Sequence, residues 1–189
     1  MKTIKNEIEK TLIIKNSKFI CTLKKVNTLE DISLSLKEIK EKYPNATHYC
    51  YAYILDNLEK CSDDNEPQGT ASLPILNVLK KNDLNHILAV VTRYFGGIKL
   101  GASGLVRAYS LSVTNAIDNN IKDIIKGKNI DIFFDYNLQK QIDYLLKEEE
   151  ITNKDFTNQV KYNINIKEDT LEKLKELNIN ITINKDIYI

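Results

Sequence analysis

Hydrophobic and polar residues alternate along the first part of the chain, and their spacing then changes. Residues 3–14 and 17–26 place isoleucine, phenylalanine and leucine at alternate positions, so they predict two strands of a β-hairpin. Over residues 29–43 the aliphatic side chains recur at helical spacing, which predicts a helix. Thr28 provides a capping side chain at its start, and Pro44 ends it.

A strand, a long loop and a second helix are predicted next. Residues 49–55 alternate again and predict a strand, whereas the polar, turn-rich residues 56–70 predict a loop. The following helix is predicted to begin at Thr70 or Ser72, with a proline in its first turn, and to continue through Leu79.

Residues 87–95 are apolar on both faces, as in a central strand that is covered on each side. A glycine-rich turn from Gly96 to Gly104 leads into a helix predicted over residues 103–119. Small side chains on this helix allow close packing against a sheet. The pattern therefore predicts an α+β domain over residues 1–124.

Lys122 to Lys128 is the predicted domain boundary, and the pattern restarts in a second domain over residues 125–189. The predicted order of elements there is β-α-β-β-α-β, which is the ferredoxin-like order. These elements are a strand at 129–135, a helix at 137–147, strands near 153–157 and 160–167, a helix at 169–177 and a strand at 179–188.

Composition is that of an ordinary soluble protein, with 42% hydrophobic and 28% charged residues. The formal net charge is +1, so any contact with nucleic acid has to come from a local patch. No apolar run approaches the roughly 20 residues that span a bilayer, and no membrane association is predicted.

The cysteines Cys21, Cys50 and Cys61 are an odd number and form no CxxC pair. They are interpreted as thiols in a reducing compartment, which predicts a cytoplasmic location.

Arginine and glycine are concentrated in one part of the chain. Only Arg93 and Arg107 are arginines among the 27 basic residues, and five of the six glycines lie between Gly69 and Gly104. Arginine differs from lysine where a planar, bidentate donor is needed, and glycine is favoured where φ is positive or a backbone approaches closely. Both residue types therefore mark the same candidate site.

The first chemistry-bearing segment is an acidic loop that contains Asp63, Asp64 and Glu66, followed by Gly69 and Thr70. Three carboxylates so close together repel one another unless a cation lies among them. They either bind a metal, form salt bridges with the two arginines, or contact a ligand or partner directly. The spacing matches no EF-hand loop, and no bound metal or cofactor is predicted.

The second segment is a strand, a glycine turn and a helix start, which together form a candidate anion or partner site. Its candidate residues are Arg93, Tyr94, Gly96, Gly97, Lys99, Gly101, Ser103, Gly104, Arg107 and Tyr109. Aromatic rings here either stack on a base or belong to the core. His48 either faces the same cleft or is a structural histidine.

These two segments resemble the YigZ/IMPACT family across roughly residues 16–120. The matching motifs are Cys61-Ser62-Asp63-Asp64, Glu66-Pro67, Gly69-Thr70-Ala71, Pro74-Ile75-Leu76, Arg93-Tyr94-Phe95-Gly96-Gly97, Lys99-Leu100-Gly101 and Gly104-Leu105-Val106-Arg107-Ala108-Tyr109. The resemblance implies a ribosomal protein S5 domain 2-like fold for the first domain. The tail resembles the second domain of bacterial members, which is similar to the last domain of elongation factor G. Gln68 and Ser103 depart from the family pattern, and Ser103 is compatible with a helix N-cap.

The resemblance also implies a link with translation, because eukaryotic relatives regulate translation during amino-acid starvation by competing for a protein partner. The leading hypothesis is a non-enzymatic module that contacts RNA, the ribosome or a translation-linked protein through the cleft between Asp63 and Tyr109. The alternatives are a protein–protein module without nucleic acid, and an enzyme that acts on a phosphorylated or nucleotide-like small molecule. No residue is assigned as catalytic.

Overall fold

A five-stranded antiparallel sheet lies at the centre of residues 1–123 in the computed structural model, which describes residues 1–189 throughout. In spatial order its strands are β2 (Ile8–Ile14), β3 (Ser17–Lys25), β6 (Ile87–Tyr94), β4 (His48–Leu55) and β5 (Leu58–Ser62). Two further strands, β1 (Lys2–Ile4) and β7 (Ile121–Asp123), pair with each other. The helices are α1 (Leu29–Lys42), α2 (Ser72–Lys81) and α3 (Gly101–Ile117).

Strand β6 is buried on both faces from Ile87 to Arg93, which confirms most of the prediction for residues 87–95; Tyr94 is half-buried, and Phe95 follows the strand and is exposed. Ala89 and Val91 pack in the core that includes residues of α2 and α3. Leu88 and Val90 point to the opposite core, together with Ile32 of α1. Because side chains of a strand alternate between faces, this apolar run can serve both cores.

Helix α1 begins as predicted. The Thr28 side chain accepts a hydrogen bond from the backbone of Asp31, and the Asp31 carboxylate accepts one from the Thr28 backbone. This reciprocal capping box satisfies two N–H groups that a helix start otherwise leaves free.

The structure differs from the prediction at two strands. Residues 3–14 are split into β1 and β2, because the Lys5 N–H binds the Asn120 carbonyl and draws the first segment toward β7. The predicted loop at 56–70 begins with β5, which folds back on β4 after a turn in which Asp56 has a positive φ of 53°.

Residues 124–189 form the second unit, a four-stranded antiparallel sheet with two helices. Its elements in chain order are β8 (Lys126–Phe134), a 3₁₀ turn (Tyr136–Leu138), α4 (Gln139–Leu145), β9 (Glu150–Phe156), β10 (Val160–Lys167), α5 (Glu168–Lys175) and β11 (Asn180–Tyr188). The spatial strand order is β11-β8-β10-β9. Buried and half-buried residues alternate strictly along β10, so one face packs on the helices.

The other face of this sheet carries a ladder of amide side chains. Asn129 donates to the side chains of Asn163 and Asn165, and Asn163 donates to the Asp131 carboxylate. Strand β9 begins at Glu150, earlier than predicted, because an irregularity opposite Asn163 lets it pair further along β10.

The mixed α+β class is therefore confirmed, with two units whose sheets are separate. No helix of the protein combines the length and the apolar character needed to cross a membrane.

Gly96→Ala is expected to destabilise the first unit strongly. An added Cβ would lie 2.0 Å from the carbonyl carbon of Asn16 and 2.3 Å from the Ser17 nitrogen, both backbone atoms. We expect a loss of about 3 kcal/mol in the free energy of unfolding. Native-state hydrogen exchange of the β3 and β6 amides measures it, because these amides report opening of this sheet.

Gly97→Ala is the matched control, since a Cβ there meets open space and only its positive φ of 83° adds strain. That variant is expected to lose about 1 kcal/mol. Equal losses in the two variants would contradict the close backbone approach at Gly96.

Candidate functional site

A buried ion pair joins the acidic loop to the central strand. The Arg93 Nη1 atom lies 2.5 Å from Glu66 Oε1, and the two side chains are only 5% and 3% exposed. Arg93 stands near the end of β6, opposite Phe19 of β3 and His48 of β4. The pair therefore bridges the sheet and the loop between β5 and α2.

Helix α3 is attached to the same carboxylate. The Tyr109 hydroxyl donates to Glu66 Oε1 at 2.8 Å. Burial raises the pKa of Tyr109 well above its ordinary value, and the neighbouring Cys50 and Glu66 raise it further, so the hydroxyl stays protonated and donates. One oxygen of Glu66 thus connects the acidic loop, β6 and α3.

Phe19 and Ser17 complete the surroundings of the Arg93 guanidinium. Its Cζ atom lies 5.3 Å from the Phe19 ring centroid, and Phe19 packs edge-to-face on Tyr109. The Ser17 hydroxyl accepts from Arg93 Nη2 at 3.4 Å and from the Gly96 N–H at 3.1 Å. This serine ties the β2–β3 turn to the glycine turn. The Arg93 Nε atom is buried without a hydrogen-bond partner.

The Asp63 side chain caps the start of helix α2, although Asp63 lies several residues before that helix in the sequence. Its carboxylate accepts hydrogen bonds from the N–H groups of Gly69, Ala71 and Ser72 at 2.8, 3.1 and 2.7 Å. Partial burial acts to raise the pKa of Asp63, but these N–H donors outweigh it and lower the pKa below its ordinary value. The predicted cap Thr70 instead donates its hydroxyl to the Pro67 carbonyl.

His48 and Asp64 belong to the same cluster. His48 Nδ1 lies 2.7 Å from the Asp64 carbonyl oxygen, and its Nε2 lies 3.8 Å from Glu66 Oε1. The Asp64 carboxylate accepts from the Tyr49 N–H at 2.6 Å. The contacts of His48 are therefore with two residues of the acidic loop, as expected for a structural histidine.

Cys50 is a further member of the cluster, and it was not predicted as a site residue. Its thiol lies 3.0 Å from the Asp63 carbonyl oxygen and 3.4 Å from the Tyr109 hydroxyl. Burial raises its pKa to about 12, so the thiol remains protonated. The available signal was its position two residues after His48, which places both on one face of β4.

The structure corrects the predicted exposure of two site residues. Arg93 and Tyr109 are buried in the interior and are not accessible to a partner. All three carboxylates of the acidic loop are bound internally, which is the salt-bridge and capping alternative among those left open for this loop. Tyr94 is half-buried, and its hydroxyl donates to the Pro44 carbonyl.

The exposed candidates of this segment lie on an outer surface, which we call the turn surface, whereas Gly96 and Gly104 are half-buried. The turn surface comprises the exposed residues Phe95, Gly97, Ile98, Lys99, Gly101, Ser103 and Arg107. Phe95 and Ile98 are 46% and 47% exposed although both are apolar. Ile98 was not selected from the sequence, since an isolated aliphatic residue beside glycines has no distinctive pattern.

The start of α3 opens onto the turn surface. Its N-cap residue is Leu100, which has no side-chain hydrogen bond to the helix, so the first N–H groups have no side-chain cap. Ser103 lies inside the first turn, and the proposed N-cap role for Ser103 is therefore wrong. Gly97 and Gly101 have positive φ values of 83° and 73°, which explains glycine at both positions.

The site consequently has two layers. Inside, Glu66, Arg93 and Tyr109 hold three elements together; outside, cations, an exposed ring and uncapped backbone N–H groups face solvent. The inner layer provides rigidity, and the outer layer has the groups that bind anions and aromatic bases.

Comparison with known proteins places these segments in a family. Residues 15–117 match the family model described as the Impact N-terminal domain. The chain is 40% identical over 182 residues to IMPACT family member YvyE of Bacillus subtilis, covering 93% of this chain and 81% of that protein. It is 46% identical over 109 residues to an IMPACT family member of Haemophilus influenzae, covering 55% of this chain and 53% of that protein.

A solved structure agrees over nearly the whole length. The crystal structure of a hypothetical protein superposes with a TM-score of 0.66 at 26% sequence identity and covers 97% of both chains. The likeness therefore extends to the second unit as well as the first.

Glu66→Gln tests the inner layer. It removes the charge that compensates the buried Arg93 guanidinium, so we expect a loss of about 3–5 kcal/mol in the free energy of unfolding. The control is Glu59→Gln, whose carboxylate pairs with Lys80 on the surface at 2.9 Å and should cost at most about 1 kcal/mol. Hydrogen exchange of the β6 amides measures both variants, and a similar small loss in each would refute the inner layer.

Asp63→Asn tests the distant cap through its pH dependence. A carboxylate whose pKa is lower in the folded state stabilises the fold above the unfolded pKa of about 3.9, and the contribution is lost as the pH falls. We expect wild type to exceed the variant by about 1–2 kcal/mol at neutral pH. This gap, measured by urea unfolding, should shrink below about pH 4; a gap that persists unchanged in acid argues against capping by the Asp63 carboxylate.

Proposed function

This chain belongs to the IMPACT family, and we propose that it is a non-enzymatic regulatory protein associated with translation, which contacts RNA on the ribosome. The proposal includes a ribosomal protein S5 domain 2-like fold for the first unit and a ferredoxin-like fold for the second, in a cytoplasmic protein. The element order and the strand order of the second unit support the latter assignment. Both fold types recur in translation proteins, which supports the link to translation.

The observation that carries the proposal is the composition of the turn surface. Lys99 and Arg107 are exposed beside the uncapped start of α3, and neither forms a salt bridge within the protein. From residue 84 to 117 the sequence contains no aspartate or glutamate. The surface therefore has cations and N–H groups without a side-chain cap, and this part of the sequence has no acidic residue to neutralise them. Such a surface favours a partner that carries phosphate groups.

The exposed ring of Phe95 adds a second means of contact. Its N–H is bonded to the Thr47 hydroxyl at 2.9 Å, and the Arg93 guanidinium lies 5.5 Å from its ring centroid. Thr47 therefore holds the backbone of Phe95, and Arg93 of the inner layer contacts its ring. A fixed, half-exposed aromatic ring next to cations is suited to stacking on an unpaired RNA base.

The carboxylates that an enzymatic mechanism would use are already engaged. Asp63 binds the start of α2, Asp64 binds the Tyr49 backbone and Glu66 binds Arg93. A general base has to reach a substrate proton, whereas these groups serve the fold. The geometry therefore supports binding better than catalysis at this position.

The double variant Lys99→Ala/Arg107→Ala tests the proposal. We expect its association with ribosomes, measured by co-sedimentation, to weaken about tenfold. The slope of the logarithm of affinity against the logarithm of salt concentration should fall by the amount expected for the loss of about two phosphate contacts. Arg93 is left unchanged because its loss would unfold the site. The control Lys37→Ala/Lys60→Ala removes two exposed cations elsewhere on the first unit and should bind like wild type. Association that is equal in all three proteins would exclude the turn surface as the contact.

A further inference from the structure

An open groove lies between α2 and α3, beside the site described above. Its volume is about 360 Å³, and it is lined by Gly69, Leu73, Pro74, Asn77, Val78, Lys81, Val106 and Ser110. Leu73, Asn77 and Lys81 follow one another at helical spacing along α2, and Val106 and Ser110 do so along α3. From Leu73 to Lys81 the wall extends over about 12 Å, which is slightly more than two helical turns.

The groove exposes apolar side chains that the fold does not use. Leu73 is 49% exposed and Val106 is 39% exposed, and they stand on opposite walls. Gly69 lies at one end, where an added Cβ would come within 3.4 Å of the Leu73 side chain. That distance is an ordinary van der Waals contact, so it is the positive φ of 73° that explains glycine at this position.

The lining of the groove contains a positive charge and no negative charge. Lys81 lies at one end of the α2 wall and forms no salt bridge, and no acidic residue lines the groove. From residue 67 to 117 the only acidic residue in the sequence is Asp83, and its carboxylate lies 3.6 Å from the N-terminal amine. An occupant that carries negative charge beside apolar side chains complements this surface.

We propose that this groove binds an amphipathic helix of a partner protein, with leucine-like side chains between the walls and acidic residues facing Lys81. In helix-in-groove recognition, the bound helix inserts apolar side chains that are spaced three and four residues apart. The walls formed by α2 and α3 present their side chains at a helical spacing that matches such anchors. The lining contains no aromatic ring and a single cation, so it lacks the stacking groups and the charge density that RNA recognition requires.

This interaction goes beyond the contact proposed for the turn surface and uses different side chains. Leu73, Val106 and Lys81 take no part in the Lys99 and Arg107 contact. Each surface can therefore be disabled separately, and failure of one proposal leaves the other standing.

The test uses a fluorescent helical peptide of about 14 residues, with leucines spaced three and four apart and glutamates beside them. We expect saturable binding to the full chain by fluorescence polarisation. Leu73→Glu and Val106→Glu should each weaken binding by about tenfold or more, as loss of one buried anchor does. Lys81→Glu, at an exposed position in the last turn of α2, should weaken binding while it lowers the free energy of unfolding by no more than about 1 kcal/mol.

Leu111→Glu is the matched control. Leu111 is also an exposed apolar residue of α3, at 44% exposure, but it does not line the groove. Its variant should bind the peptide within about twofold of wild type. Ribosome co-sedimentation of the Leu73→Glu protein should also be unchanged, which separates this result from the turn-surface contact.

Several outcomes would overturn the proposal. These are absence of saturable binding, equal weakening by Leu111→Glu, and equal affinity for a peptide with lysine in place of glutamate. Binding of a single-stranded RNA that is lost in the same groove variants would assign the groove to nucleic acid instead.

Discussion

The buried ion pair between Glu66 and Arg93 is the interaction on which the architecture of the first unit depends. Removing two charges from water is costly, and the cost is offset only when each charge has good partners. Here one carboxylate oxygen receives both the guanidinium and the Tyr109 hydroxyl. The acidic loop, β6 and α3 are consequently held at one point. Separation of the loop from β6 would leave a buried charge without its partner, and movement of α3 would remove the hydrogen bond from Tyr109 to Glu66.

The arginines and glycines of the candidate site have different structural roles. Members of a single motif have opposite roles: Arg93 is inside and Arg107 is outside, although they are the only two arginines in the chain. Gly96 is required because the β2–β3 turn touches its backbone, whereas Gly97 and Gly101 are required by their positive φ values. The inner residues make the outer surface rigid, and rigidity reduces the ordering cost of binding.

Two surfaces of different chemistry then lie on one rigid unit. The turn surface presents cations, a ring and uncapped N–H groups, while the groove between α2 and α3 presents aliphatic walls and a cation. Asp63 links them structurally, because it caps the helix that forms one wall and belongs to the loop that carries Glu66. A regulatory protein that contacts both an RNA and a protein partner would need two such surfaces.

The sequence by itself determined the elements whose signals are local. The capping box of α1, the doubly buried strand β6 and the alternation along β10 depend on residues that are close in the chain, and period and capping rules describe them. The concentration of arginine and glycine also marked the segment in which the candidate site is proposed. It did not show which candidates are exposed, because burial of Arg93 and Tyr109 depends on Glu66 and Phe19, which are distant in sequence.

Only the tertiary structure decided the partnerships between distant segments. Asp63 caps α2 although it lies outside the helix, β1 leaves the hairpin to pair with β7, and Cys50 joins the site through its neighbours. In each case the energy comes from hydrogen bonds or packing across the fold. Local spacing carries no information about such contacts, because the groups that make them are distant in sequence and meet only in the folded chain.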